Sequence, residues 1–100
     1  MMLFQVTYTM LPGQRDAFLR MMRESGILDK IRQEEGCLDY RYYLPEEDDG
    51  NLLLLELWTG PEAQKAHMAT EHIAEFTKIK PQYVAGTRVV FCELKDVVEK

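Results

Sequence analysis

The chain predicts an α+β domain with the element order β-α-β-β-α-β, and three observations carry that prediction. Residues 3–10, Leu3 to Met10, alternate and are rich in Phe, Val, Tyr and Thr, as a half-buried strand does. Residues 14–33 set Phe18, Met21, Met22, Leu28 and Ile31 near one helical face. The run Leu52-Leu53-Leu54-Leu55-Glu56-Leu57-Trp58 is apolar on both faces of a strand, with one carboxylate and the only tryptophan among the leucines. Such a strand needs two covers, which 100 residues with few helices hardly supply, so a second copy is expected over one face.

Each element has its own signal. Pro12-Gly13 turns the chain after the first strand, Gly26 weakens the middle of the helix, and Gly36 supplies its stop. Cys37 to Leu44 read as a second strand in which Leu38, Tyr40 and Tyr42 share a face. Pro45 to Asn51 form an acidic, solvated turn whose Asp49-Gly50 pair suits a hairpin. In the third strand Leu53, Leu55 and Leu57 share one face, and Leu54, Glu56 and Trp58 the other. Thr59-Gly60-Pro61-Glu62 fits a capping box, so a helix starts near residue 60. It ends near Thr70, which can cap a further helix from Glu71 to Gln82, stopped by Pro81. Gly86 opens a last strand through Leu94, and Asp96 to Lys100 form a polar tail. The whole is one ferredoxin-like domain, residues 1–100, with a four-stranded antiparallel sheet and helices on one face. The other face is left bare, and register decides whether Leu53, Leu55 and Leu57 lie there.

Composition narrows the function. With 46% hydrophobic and 29% charged residues the chain reads as an ordinary globular protein. A net charge of −5 without a basic cluster argues against nucleic acid as a partner. No stretch approaches the roughly 20 apolar residues of a membrane span, and no signal-peptide pattern opens the chain. Cys37 and Cys92 make neither a disulfide framework nor a zinc site, so a cytoplasmic protein is expected.

Three groups of residues resemble the antibiotic biosynthesis monooxygenase (ABM) family: Glu35-Gly36-Cys37-Leu38-Asp39-Tyr40, Glu56-Leu57-Trp58, and His67-Met68-Ala69-Thr70-Glu71-His72 with Phe76. The resemblance covers about residues 2–94 and implies a dimeric α/β barrel, a homodimer whose two sheets meet. It also implies cofactor-independent oxygenation of a small aromatic or quinol-like molecule by O2. Fold likeness alone does not settle the chemistry, because the family also holds haem degraders and an isomerase of a phosphorylated metabolite. The haem-degrading branch uses an Asn, a Trp and a His where Val6, His67 and Thr77 stand here, a mismatch at all three. Against the polyketide-oxidising branch Tyr42 and Trp58 match, while Leu54 and Gln64 do not.

His67, His72 and Glu56 are the candidate catalytic residues. A neutral imidazole can take a proton from a phenolic or enolic hydroxyl, or simply pack against the sheet. Five residues apart on one helix the two histidines diverge by about 140°, but a break near Thr70 turns both toward one cleft. A metal is not expected, since a two-histidine site lacks a clear third ligand beyond Glu56 or Glu71. Glu56 either pairs with Arg41 or Arg88, or lines a pocket with a raised pKa and acts as base. Trp58, Tyr42 and Tyr40 are candidate substrate-binding aromatics, although large aromatics also build cores. The methionines and Cys37 read as core filling. Two other readings stay open. One is an isomerase or lyase on a small oxygenated metabolite, with Arg41, Arg88 and Lys65 available for a phosphate. The other is a non-catalytic dimer that binds a small molecule.

Overall fold

The computed structural model describes residues 1–100. The chain runs β1 (Met2–Met10), α1 (Arg15–Glu24), α2 (Ile27–Arg32), β2 (Cys37–Tyr43), β3 (Leu52–Trp58), α3 (Pro61–Met68), α4 (Glu71–Ile79), a 3-10 turn (Lys80–Gln82) and β4 (Val84–Glu93). The strands form one antiparallel sheet in the order β2-β3-β1-β4, the ferredoxin-like topology. No helix is long and apolar enough to cross a membrane.

Local chemistry explains where the elements break. Gly26 takes φ +81°, a left-handed conformation costly to any residue with a Cβ, and so divides the first helical stretch into α1 and α2. Ser25 Oγ accepts the Ile27 N–H at 3.2 Å and restarts the helix. Gly36 is constrained twice over. Its φ is +85°, and a Cβ there would collide with the Cβ of Ala63 on α3. Thr70 is extended, and its Oγ1 accepts the Ile73 N–H, so it caps α4 as its sequence position predicts.

Two expectations need correction. Thr59 does not cap α3: Gly60 is the residue before the helix, Pro61 opens it, and the Thr59 N–H goes to Gly36 O instead. The turn expected over Pro45 to Asn51 is present: residues 44–51 connect the antiparallel pair β2 and β3. Its four acids are exposed, as expected, and two contacts anchor the loop. Asp48 meets Arg15 of α1 at 2.8 Å, and Asn51 Oδ1 accepts the Met10 N–H. Leu38 does not share a face with Tyr40 and Tyr42. The register shifts between Cys37 and Asp39, which makes Leu38 the extra residue of a β-bulge and leaves it exposed.

The register also settles the two faces of the sheet. Met2, Phe4, Val6, Tyr8 and Met10 of β1 pack under the helices with Leu52, Leu54, Glu56 and Trp58 of β3. Leu3, Leu53, Leu55 and Leu57 lie on the opposite, bare face and are half-buried. Helical cover stops short of β4, where Val89 and Phe91 on the helix side remain exposed. The uncovered edge leaves an opening between β4 and α4.

Candidate functional site

The far end of β3 builds the most polar part of the interior. Trp58 is fully buried, and its Nε1–H donates to Glu56 Oε1 at 3.0 Å. The His67 ring lies across the indole with centroids 4.6 Å apart. Arg41 and Arg88 cannot reach Glu56. Arg41 sits opposite Leu55 and Arg88 opposite Thr7, so alternation sends both to the bare face. The expected ion pair of Glu56 is therefore replaced by the indole hydrogen bond. Burial pushes the Glu56 pKa up, while the Trp58 bond and His67 pull it back in part.

The break at Ala69-Thr70 brings the two histidines together. Both the N–H and the hydroxyl of Thr70 donate to His67 O, which ends α3 directly below its histidine. One turn on, His72 sits in the first turn of α4. The two rings converge on one atom, Glu34 Oε2, which lies 2.8 Å from His67 Nδ1 and 2.8 Å from His72 Nε2. The carboxylate oxygen accepts from both ring N–H groups. In a neutral His67 this bond places the proton on Nδ1 and leaves the lone pair on Nε2. That Nε2 has no protein partner, and it is not among the sealed unpartnered polar atoms, which are Arg15 Nε and Tyr42 Oη.

Glu34, His67 and His72 are also the ligand types of a two-histidine, one-carboxylate metal site, with ligand atoms within 4.8 Å of one another. The third ligand type comes from Glu34, not from Glu56 or Glu71. The 2.8 Å separations are those of N–H···O hydrogen bonds. Without an ion the three groups are joined as a hydrogen-bonded triad.

A cavity of about 240 Å³ opens between the helix face of β1 and helices α3 and α4. Phe4, Val6 and Tyr8 form its floor, Tyr40, Glu56 and His67 one end, and Thr77, Lys80 and Thr87 the other. Its size falls below the ~300–1,000 Å³ of pockets for drug-sized ligands, which fits a compact one- or two-ring molecule. Tyr40 is buried, and burial raises its pKa, so its phenol keeps the proton and can donate. Of the residues singled out in the sequence, His67, Glu56 and Tyr40 line this cavity. His72 belongs to the triad but not to the wall. Trp58 and Tyr42 stand behind it, Trp58 beneath His67 and Tyr42 edge-on to Phe18. Burial and Glu34 push the Cys37 thiol up to about 11, as suits an inert packing residue.

Sequence reasoning missed Glu34 and Lys80. Glu34 adjoins Glu35 just before Gly36, and nothing local tells which of the two turns inward. Lys80 follows a helix and precedes a proline, a position that reads as a stop rather than a site.

Comparison with known proteins gives consistent results. The family described as antibiotic biosynthesis monooxygenase matches residues 1–79. An uncharacterized protein of Synechocystis is 27% identical over 74 residues, 74% of this chain and 49% of that protein. The chain matches about half the length of the curated relatives it resembles. Among solved structures, one described as an antibiotic biosynthesis monooxygenase superposes with a TM-score of 0.80 at 26% identity, over 95% of this chain and 99% of the other. A Pseudomonas aeruginosa protein superposes with a TM-score of 0.80 at 23% identity, over 94% and 93%.

Proposed function

This chain belongs to the antibiotic biosynthesis monooxygenase family, and from that premise we propose that it oxygenates a small phenol or quinol with O2, without a metal or organic cofactor. The observation that carries this reading is the Glu34-held His67, whose unpartnered Nε2 belongs to a residue on the wall of an apolar cavity. His67 takes the substrate's hydroxyl proton, and Glu34 steadies the resulting imidazolium. The electron-rich anion passes one electron to O2. The two radicals then combine at a ring carbon bearing hydrogen, giving a hydroperoxide that loses water to leave a carbonyl. One oxygen atom enters the ring, the other leaves as water, and the substrate supplies every electron. The Tyr40 phenol and Glu56 bind the substrate oxygens, with Glu56 as the alternative base when His67 is protonated. The protein contributes position, proton transfer and exclusion of bulk water.

The isomerase reading for a phosphorylated substrate has less support. Of the three cations it called on, Arg41 and Arg88 face away from the cavity and Lys65 is not on its wall, which leaves Lys80 as the one cation there. We propose further that a second copy covers Leu3, Leu53, Leu55 and Leu57 on the bare sheet face, giving a homodimer. The free thiols Cys37 and Cys92 suit a reducing compartment such as the cytoplasm.

Oxygen uptake with 1-naphthol and 1,4-dihydroxynaphthalene tests the reading, with 18O2 to trace the oxygen. The expected result is chelator-insensitive uptake with one labelled atom in the product. It should fall about 10²–10⁴-fold in His67→Ala, the usual worth of a general base. Glu34→Gln should lower kcat about tenfold or more with little change in KM. Uptake no faster than the spontaneous rate across phenols and quinols that fit the cavity would refute the oxygenase reading.

A further inference from the structure

The cavity is polar at both ends and apolar between, and strand pairing shows how the three parts are ordered. Phe4 pairs with Glu56, and Glu56 pairs with Tyr40, so the acid and the phenol share the first level. Val6 pairs with Val89, an apolar second level. Tyr8 pairs with Thr87, and Lys80 Nζ stands 5.2 Å from the centre of the Tyr8 ring, which makes the third level. At about 3.3 Å per residue the strand positions of the first and third levels are about 13 Å apart. Lys80 is the one cation on the cavity wall. It is half-buried, takes part in no salt bridge of the protein, and is desolvated enough to lower its pKa. Thr77, Lys80 and Thr87 also line the groove that adjoins the cavity on its β4 side, so they form its portal.

We propose that this portal selects the substrate class: an aromatic hydroxy acid, with its hydroxyl at the Glu56–His67 end and its carboxylate on Lys80. The proposal rests on the reading of this cavity as the substrate site. An unpaired ammonium at the rim of an apolar chamber gains a charge-assisted hydrogen bond from a carboxylate. The Tyr8 ring supports the ammonium from below without neutralising it. Val6 and Val89 leave the middle of the chamber to the ring system. A single lysine matches one negative charge, and the carboxylate of Glu56 at the opposite end sets the orientation by repelling the acid group.

Calorimetric binding of 6-hydroxy-2-naphthoic acid and of 2-naphthol to the intact protein tests this. The two molecules share a ring system and a hydroxyl and differ by the distal carboxylate. The acid is expected to bind about tenfold or more tightly at low salt, with a preference that shrinks as salt is added. Lys80→Met should remove the preference, and Lys80→Arg should keep most of it. An acid that binds no more tightly than 2-naphthol, or a preference that survives Lys80→Met, would overturn the proposal. The readout is binding, not turnover. Failure to consume oxygen therefore leaves the preference intact, and loss of the preference leaves the oxygenase reading standing.

Discussion

Neighbouring residues of β3 occupy opposite environments. Leu52, Leu54 and Trp58 are sealed beneath the helices and Glu56 lies on the cavity wall beside them, whereas Leu53, Leu55 and Leu57 lie half-buried on the open side of the sheet. The face carrying a carboxylate is the closed one, and the face made only of leucine is the open one. Hydrophobic burial alone would favour the reverse, since a desolvated acid is costly and an open apolar row is a liability. In the reading proposed above each departure has a use: the inward face holds an acid beside a histidine, and the outward face offers its leucines to a second copy.

The largest contrast should come from adjacent residues. Trp58→Ala removes a fully buried indole and the donor to Glu56, at an expected cost of about 3–5 kcal/mol in urea unfolding. Leu57→Ala, one residue earlier on the open face, should cost less than half of that at dilution, where no partner covers it. Equal losses would mean that the two faces are equivalently buried in solution. Gly36→Ala comes next. It opposes φ +85° and collides with Ala63, so a loss of at least about 2 kcal/mol is expected. The double variant with Ala63→Gly should regain only the share due to Ala63, since the new Cβ also meets Thr59 Oγ1 at 2.8 Å and the φ stays unfavourable.

A smaller effect isolates the acid itself. Burial raises the Glu56 pKa above its usual 4.5, so the unfolded chain releases this proton at lower pH than the folded one. Stability from this group is present at low pH and is lost as pH rises from about 4.5 through the folded value. Glu56→Gln keeps an acceptor for the indole and removes the titration. Its stability relative to wild type should therefore grow between pH 4 and pH 8, by about 1.4 kcal/mol for each unit of displacement. A constant difference across that range would contradict a desolvated acid. The smallest effect concerns the open face. Leu55→Asp should leave the unfolding midpoint of dilute protein within a few degrees, yet shift sedimentation from dimer to monomer.

Much of this architecture was legible in the residues, and the reasons differ by element. The alternation of β1, the break at Gly26 and the Thr70 cap are local, and each formed where its chemistry called for it. Thr70 also announced the convergence of His67 and His72, because a cap there ends one helix and starts another. The face of β3 was not legible, since leucines fill both of its sides and only pairing with β1 chooses between them. Leu38 was misplaced because one inserted residue reverses alternation and leaves no trace in composition. Glu34 and Lys80 escaped for a tertiary reason. One meets its histidines 33 and 38 positions later in the chain, and the other reaches across to the first strand.

In the proposed mechanism His67 Nε2, held by Glu34, is the base that starts the oxygenation. Chemical rescue puts that role to the test: oxygen uptake by His67→Ala on 1,4-dihydroxynaphthalene, with and without added imidazole. Uptake near the spontaneous rate is expected without imidazole. Uptake should then rise with imidazole concentration and follow the neutral fraction of the added base as pH is changed. Full activity in the unrescued variant would contradict it.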